Sequence, residues 1–233
     1  MKRIIFSAFF IATAFIFSAQ AQTPLVRQTF DNGRRDAAEG KFETALGKFR
    51  TSLALAASED APRRFVARLH FNIGVCLYQL KEQAKAAAEF ERATALDPAY
   101  EKSFYALGMA QFELENFQAA EHAFRAAIRL NRRNGENWFD LAFVYLAQND
   151  FDAAKTAFQK SVEYKSVASP VGHNNLGVIL AISGDIPAAV RQFEAALKQS
   201  GGKFAVAEHN LQFCRSLGQS FNQDLTAKLE FGR

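Results

Sequence analysis

The sequence predicts an all-α protein built from about five copies of one helix-turn-helix unit. Three residue series predict this fold, because each recurs along the chain at the same intervals of mostly 34 residues. Self-similarity at a fixed period of this length is the sequence signature of a helical repeat array. No segment shows the alternation of apolar and polar residues that indicates a β-strand.

The three series advance in step along the chain, by 41, 34, 34 and 35 residues. The first series consists of Phe49, Phe90, Phe124, Phe158 and Phe193. The second consists of Gly33, Gly74, Gly108, Ala142 and Gly177. The third consists of Ala45, Ala86, Ala120, Ala154 and Ala189. The shared departures from 34 predict insertions near residues 60–66 and 169, and therefore repeats at 26–59, 67–100, 101–134, 135–168 and 170–203.

The spacing within a repeat predicts how its two helices pack. Trp138, Leu141, Ala142 and Tyr145 stand at positions i, i+3, i+4 and i+7, which form one buried stripe on a helix. A small residue in each first helix and an alanine in each second helix allow two backbones to approach closely. We expect the phenylalanine four residues after that alanine to fill the groove beside them.

These residues resemble the tetratricopeptide repeat family, whose pattern is W-x-x-L-G-x-x-Y, then A-x-x-x-F, then P. One repeat matches it with Trp138, Leu141, Ala142, Tyr145, Ala154 and Phe158, and another with Ile73, Gly74, Ala86, Phe90, Ala93, Asp97 and Pro98. The first repeat departs from the pattern at Asp36 and Ser52, and only the second keeps the terminal proline. The resemblance implies a right-handed superhelical α-solenoid that binds partner proteins on its concave face.

The last 30 residues, 204–233, are predicted to form capping helices. The pair Asn210-Leu211 repeats Asn175-Leu176, but Gln212 replaces the glycine, as suits a solvated terminal helix. Phe221, Leu225 and Leu229 are spaced by four and predict a short amphipathic helix whose apolar face needs a partner. That partner is the last repeat, the concave groove or another molecule.

The first 21 residues predict a secretory signal peptide. Lys2 and Arg3 precede an uncharged apolar run from Ile4 to Phe17, and small residues ending at Ala21 follow. The alternative is an uncleaved anchor, but polar residues and Pro24 interrupt the roughly 20 apolar residues that a spanning helix needs. We therefore expect an exported bacterial protein without a stable membrane span, in the periplasm or, as the second possibility, secreted.

Charge and cysteine content exclude two classes of protein, nucleic-acid binders and small disulfide-rich scaffolds. Without residues 1–21 the chain has 26 basic and 24 acidic residues, so its formal charge falls from +4 to +2. No block is basic enough to predict nucleic-acid binding. Cys76 and Cys214 are too few for the disulfide framework of a small secreted scaffold, and we interpret both as small buried apolar residues.

The sequence contains no catalytic or metal-binding motif, so we predict neither an enzyme nor a cofactor or metal site. His70 and His173 occupy the bulky position that Phe104 and Trp138 fill in other repeats, which favours packing over metal ligation. The repeats also account for nearly all of the chain outside its signal, insertion and caps, which leaves no room for a catalytic domain.

The resemblance places the second, fifth, ninth and twelfth residues of each repeat on the concave face. The candidate partner-binding residues are Phe71, Val75, Tyr78, Lys102, Tyr105, Met109, Phe112, Phe139, Phe143, Asn174 and Val178. Aromatics at the fifth and twelfth positions are also ordinary packing residues of such repeats. The subset of the family that clamps C-terminal carboxylates has Lys and Asn at the fifth and ninth positions, where this chain has mostly apolar residues, so that activity is not expected here.

Two functions follow from these observations. The first is an exported scaffold that binds an extended or helical segment of another protein in a concave apolar groove, with no nucleic acid involved. The alternative is an accessory or assembly subunit of an envelope, pilus or secretion complex, which would act through its outer surface or C-terminal helix. The sequence does not identify the partner, because the matching surface lies on another chain.

Overall fold

The computed structural model describes residues 24–216 and residue 231, and in that part of the chain it contains eleven α-helices and no β-strand. The predicted signal peptide and the helix predicted around Phe221, Leu225 and Leu229 lie outside the described residues. No helix in the described ranges is long and apolar enough to cross a membrane. The helices are α1 (Pro24–Ala38), α2 (Phe42–Ser58), α3 (Arg63–Gln79), α4 (Gln83–Leu96), α5 (Glu101–Glu113), α6 (Phe117–Leu130), α7 (Gly135–Ala147), α8 (Phe151–Glu163), α9 (Ser169–Ile182), α10 (Ile186–Gln199) and α11 (Ala205–Ser216).

The chain divides into two compact units, one ending at Ala99 and the next beginning at Tyr100. In unit 1, α1 pairs with α2, α3 pairs with α4, and α2 packs against α3. In unit 2, the pairs are α5 with α6, α7 with α8 and α9 with α10, and α11 packs against α10 and α9. The predicted all-α fold of repeated helix pairs is confirmed. Helix α3 begins at Arg63, so part of the predicted insertion near 60–66 extends this helix.

The phenylalanine series forms the centre of each helix pair, and all five rings are at most 1% exposed. Each ring lies against the small residue of the preceding helix. A Cβ atom added to Gly74 would lie 2.6 Å from Cε1 of Phe90, and one added to Gly108 would lie 2.8 Å from Phe124. Such distances are too short for a side-chain carbon in a rigid core, so glycine permits the close approach of the two helices. The packing predicted from the three series is therefore present.

The turns inside the helix pairs form a fourth series, which the residue types show only in part: Asn149-Asp150 and Gly184-Asp185 are typical turn and capping residues. One residue in each turn has a positive φ, and these residues are Gly40 (76°), Lys81 (64°), Glu115 (59°), Asn149 (61°) and Gly184 (87°). They are separated by the same steps as the other three series. Helices commonly end with one residue in this left-handed conformation, and glycine is the usual choice. The following residues Asp150 and Asp185 cap the next helices by accepting hydrogen bonds from Ala153 N and Ala188 N, both at 3.0 Å.

Replacement of Glu115 by glycine is expected to stabilise unit 2 by about 0.5–1 kcal/mol. A left-handed backbone costs an L-residue roughly 1–2 kcal/mol, and glycine removes this cost. Part of the gain is offset, because glycine loses more conformational freedom on folding than glutamate does. Asn149→Gly is the matched control and should gain less, because asparagine tolerates this conformation. Thermal unfolding followed by circular dichroism measures both shifts. A Glu115→Gly protein that melts at or below the parent temperature would contradict the expectation.

Candidate functional site

The predicted site residues lie on α3 in unit 1 and on α5, α7 and α9 in unit 2. On α3, the side chains of Phe71, Val75 and Tyr78 share one helix face and are partly exposed. The ring of Phe71 packs 5.9 Å from the ring of Phe90, centroid to centroid. This helix face therefore contacts the core of unit 1 on one side and is exposed to solvent on the other.

On α5, Lys102 is exposed, whereas Tyr105, Met109 and Phe112 are partly buried. The Tyr105 hydroxyl donates a hydrogen bond of 2.7 Å to Oδ2 of Asp140 on α7. This bond connects the first helices of two successive repeats. It also fixes the direction of the Tyr105 ring, which packs 5.8 Å from the core ring of Phe124.

Two phenylalanine rings of α7 and one of α8 form an aromatic triangle. Phe143 lies 5.1 Å from Phe139 and 5.5 Å from Phe158, and Phe139 lies 5.9 Å from Phe158, with near-perpendicular ring planes. Edge-to-face pairs of this kind contribute about 0.5–1.5 kcal/mol beyond the burial of their area. Phe139 is only 8% exposed, so its role is mainly packing, while Phe143 keeps part of its surface open to solvent.

The partly exposed apolar side chains of α5 and α7 pack on the same buried cluster of unit 2. We refer to them as the aromatic surface, which consists of Tyr105, Met109, Phe112, Phe143 and Leu146. Lys102 stands one turn before Tyr105 on α5 and adds a charged group at one end. The structure thus brings together the predicted residues of the third and fourth repeats.

The two predicted residues on α9 are instead fully buried. Asn174 accepts a 2.9 Å hydrogen bond from Nδ2 of Asn210 and donates one of 3.1 Å to Oδ1 of Asn175. Val178 lies in a buried cluster with Leu211 and Cys214 of α11. Because α11 packs on this side of α9, Asn174 and Val178 hold the two helices together and present no surface to a partner.

The two histidines at the bulky position make side-chain hydrogen bonds inside their own repeats. His70 Nδ1 lies 2.6 Å from Oε2 of Glu89, and His173 Nδ1 lies 2.7 Å from Oε1 of Gln192. Within residues 24–216, no group of three His, Cys, Asp or Glu side chains is placed to hold a metal ion. These contacts are those of packed side chains that bridge two helices.

Cys76 and Cys214 are free thiols, 0% and 1% exposed, as expected for small buried apolar residues. Burial raises the pKa of each thiol to about 11. Because the thiolate is the reactive form, we expect modification by a thiol reagent near neutral pH to be about a hundredfold slower than in the unfolded chain. Equal rates with and without urea would contradict this result.

The free energy of unfolding should also fall as the pH rises from about 9 to about 11, because in this range the thiols ionise in the unfolded chain but not in the folded one.

Comparisons with known proteins agree with this architecture. Models of the tetratricopeptide repeat match residues 67–100, 111–166 and 139–204, which together cover more than half of the chain. The chain is similar in structure to MamA, with 23% identity, a TM-score of 0.65, and 73% of this chain and 95% of that chain covered. It is also similar to pilF of Pseudomonas aeruginosa, with 18% identity, a TM-score of 0.69 and 87% of each chain covered.

A third similar structure is YrrB, described as a TPR protein with an unusual peptide-binding site. It shares 24% identity and a TM-score of 0.58, over 69% of this chain and 80% of that chain. No curated protein sequence matches the chain. At these identities the similar structures establish the fold, and the fold class predicted from the residue series is the one they share.

Proposed function

The chain belongs to the tetratricopeptide repeat family, and on this premise we propose that it is a protein-interaction scaffold that binds a segment of a partner protein. The aromatic surface on α5 and α7 is the binding site in this proposal. The scaffold acts by holding its partner, and no step of the proposal requires chemistry on the partner.

The main support for the proposal is that the large apolar side chains of the aromatic surface are partly exposed next to one another. Aromatic residues and methionine are enriched in the cores of protein interfaces, where they supply most of the binding energy. The Tyr105 hydroxyl is hydrogen-bonded to Asp140, and the Phe143 ring packs on the ring of Phe158. Both side chains therefore lose little conformational freedom when a partner binds. Met109 lies between them in sequence and can adapt its shape to the partner.

The side chains of the aromatic surface favour an apolar segment over a charged one. The five side chains of this surface are uncharged, and the charges named beside it are Lys102 at one end and Asp140, which accepts the Tyr105 hydrogen bond, so a partner would gain mainly from burying its own apolar side chains. An amphipathic helix or an extended strand with spaced apolar anchors has this chemistry. The peptide-binding site stated for YrrB supports the same class of function.

A charge placed in the aromatic surface should weaken partner binding strongly. The double change Met109→Glu and Phe143→Glu would bury unpaired carboxylates against an apolar partner, at a cost of at least about 2 kcal/mol. Affinity for a co-purified partner is expected to fall more than about tenfold, as measured by isothermal titration calorimetry. Phe151→Glu is the control, because Phe151 is a 39% exposed phenylalanine on α8 and not part of the surface.

Circular dichroism must show that the double variant keeps its helices. If the variant is folded and its partner still binds with parental affinity, the aromatic surface is not the binding site. If Phe151→Glu weakens binding as strongly as the double change, the site lies elsewhere on unit 2.

We also propose that the protein is exported and acts in the periplasm of a bacterium. The order of residues 1–21, from a positive start through an apolar run to Ala21, supports export with cleavage after Ala21. The measurement is the intact mass of the chain recovered from the periplasmic fraction. The mass should correspond to a chain beginning at Gln22, and a full-length chain confined to the cytoplasm would contradict the proposal.

A further inference from the structure

Unit 2 contains a cavity of about 310 Å³ on a different face of α7 from the aromatic surface. Residues of three helices, α6, α7 and α8, line it. Its lining residues include Arg125, Ile128, Trp138, Leu141, Tyr145 and Thr156. We refer to this space as the Trp138 cavity. Its lining is mainly apolar, and its volume lies at the small end of the roughly 300–1,000 Å³ range of ligand sites, which suits one or two side chains.

One wall of the cavity carries a fixed positive charge. Nε and Nη2 of Arg125 donate hydrogen bonds of 3.1 and 2.9 Å to the Tyr145 hydroxyl, and Nε also lies 3.1 Å from Oε1 of Glu121. A guanidinium group has five N–H donors, so these bonds leave the Nη1 donors for a further acceptor. The ring of Tyr145 is buried, and burial raises the pKa of its hydroxyl although the bond from Arg125 opposes this shift.

More positive charge lies at the rim. Arg129 follows Arg125 by one turn of α6 and is exposed. Trp138 Nε1 donates a 2.9 Å hydrogen bond to the backbone oxygen of Arg132, so the backbone of this exposed arginine lies at the Trp138 end of the cavity. Two carboxylates lie beside the cavity, and each is paired with a basic residue: Glu121 with Arg125, and Asp152 on α8 with Lys155. The rim therefore attracts an acidic segment.

The family's packing pattern does not explain the arginine. The first repeat also has an arginine at this position, Arg50, whereas the second, fourth and fifth repeats have Glu91, Gln159 and Glu194. The pattern does not require an arginine here, because these three repeats fold with an acidic or neutral residue. Because Trp138 is the sole tryptophan of the chain, the combination of this arginine with a tryptophan is a property of the third and fourth repeats alone.

We propose that the Trp138 cavity is a second protein-binding site, which takes an apolar side chain flanked by carboxylates in an acidic segment of a partner protein. The apolar side chain fills the space above Leu141, and a neighbouring carboxylate binds Nη1 of Arg125. Charge-assisted pairing of a carboxylate with arginine is strong and directional, which fixes the orientation of the segment. This site is separate from the aromatic surface and does not depend on the function proposed for it.

The sole tryptophan of the chain lines the cavity, so its fluorescence reports occupancy directly. The probe is the synthetic peptide acetyl-EEFEE-amide, titrated to millimolar concentration against the purified chain. We expect a saturable change in Trp138 emission. The peptides acetyl-KKFKK-amide and acetyl-EESEE-amide, which lack the acidic and the apolar part respectively, should each bind at least about tenfold more weakly, a loss of roughly 1.4 kcal/mol.

Variants of the cavity locate the binding site. Thr156→Phe fills the cavity from α8 and should abolish the signal, whereas Gln159→Phe, on an exposed position of the same helix, should not. Arg125→Gln keeps a polar side chain of similar length and should weaken the acidic peptide about tenfold without affecting acetyl-KKFKK-amide. Met109→Glu with Phe143→Glu should leave the peptide affinity unchanged, which separates this proposal from that of the aromatic surface.

Three results would overturn the proposal. The first is no saturable signal at millimolar acetyl-EEFEE-amide from a chain with parental circular dichroism. The second is equal affinity for the acidic and the basic peptide. The third is parental affinity in a folded Thr156→Phe protein, since the peptide would then bind outside the cavity.

Discussion

Replacement of Phe124 by alanine is expected to lower the free energy of unfolding of unit 2 by about 3–5 kcal/mol. The ring is 1% exposed and lies between the backbone of α5 at Gly108 and the ring of Tyr105. Its removal leaves a cavity that cannot close by itself, because both neighbours are fixed by contacts of their own. A loss of this size is comparable to much of the stability of a small domain.

Urea unfolding followed by circular dichroism measures this loss. The control is Phe151→Ala, which removes a phenylalanine that is 39% exposed, and which should cost less than about 1 kcal/mol. If the two changes cost the same, the phenylalanine series does not form the centre of the helix pairs. A Phe124→Ala chain with parental stability would lead to the same conclusion.

Replacement of Gly74 by valine is expected to destabilise unit 1 by about 3 kcal/mol. An added Cβ would lie 2.6 Å from Cε1 of the fully buried Phe90, and valine adds two further methyl groups at this contact. Valine is the sharper test than alanine, because Ala142 shows that this position can hold a methyl group in another repeat. Helix α3 and helix α4 would have to move apart.

The same substitution at Gly47 is the matched control. Gly47 also lies inside a helix of unit 1, but nothing lies within 4 Å of a Cβ placed there. Gly47→Val should be neutral or slightly stabilising, since valine is a better helix former than glycine. In the double variant Gly74→Val with Phe90→Ala, the smaller side chain relieves the clash, so the two losses should not add. If the two losses in free energy of unfolding add, the valine side chain clashes with a residue other than Phe90.

The features that the sequence predicted correctly are those in which one residue type carries the information. The phenylalanine, glycine and alanine series recur in step, and together they predict which helices form pairs. The structure has these pairs. The turn positions are predictable only in part for the same reason. Asn149 and Gly184 are residue types that favour the left-handed conformation, whereas Lys81 and Glu115 adopt it although their residue types do not indicate it.

The candidate site was harder to predict, because exposure depends on what packs over a residue. Tyr105 and Val178 both stand at positions that the family places on the concave face. Tyr105 is partly exposed and Val178 is 0% exposed, since α11 packs on α9. The pairing of Tyr105 with Asp140 and the Trp138 cavity each combine residues from different helices, and spacing along the chain gives no signal for such contacts.

The most direct test of the central claim, that the aromatic surface of unit 2 binds a partner, is photo-crosslinking in the native cell. A benzoylphenylalanine in place of Phe112 reports on the surface, and one in place of Phe151 reports on an exposed position of α8. We expect a discrete protein adduct from position 112 that Phe143→Glu removes, and none of the same mass from position 151. No adduct from position 112, or the same adduct from both positions, would contradict the account.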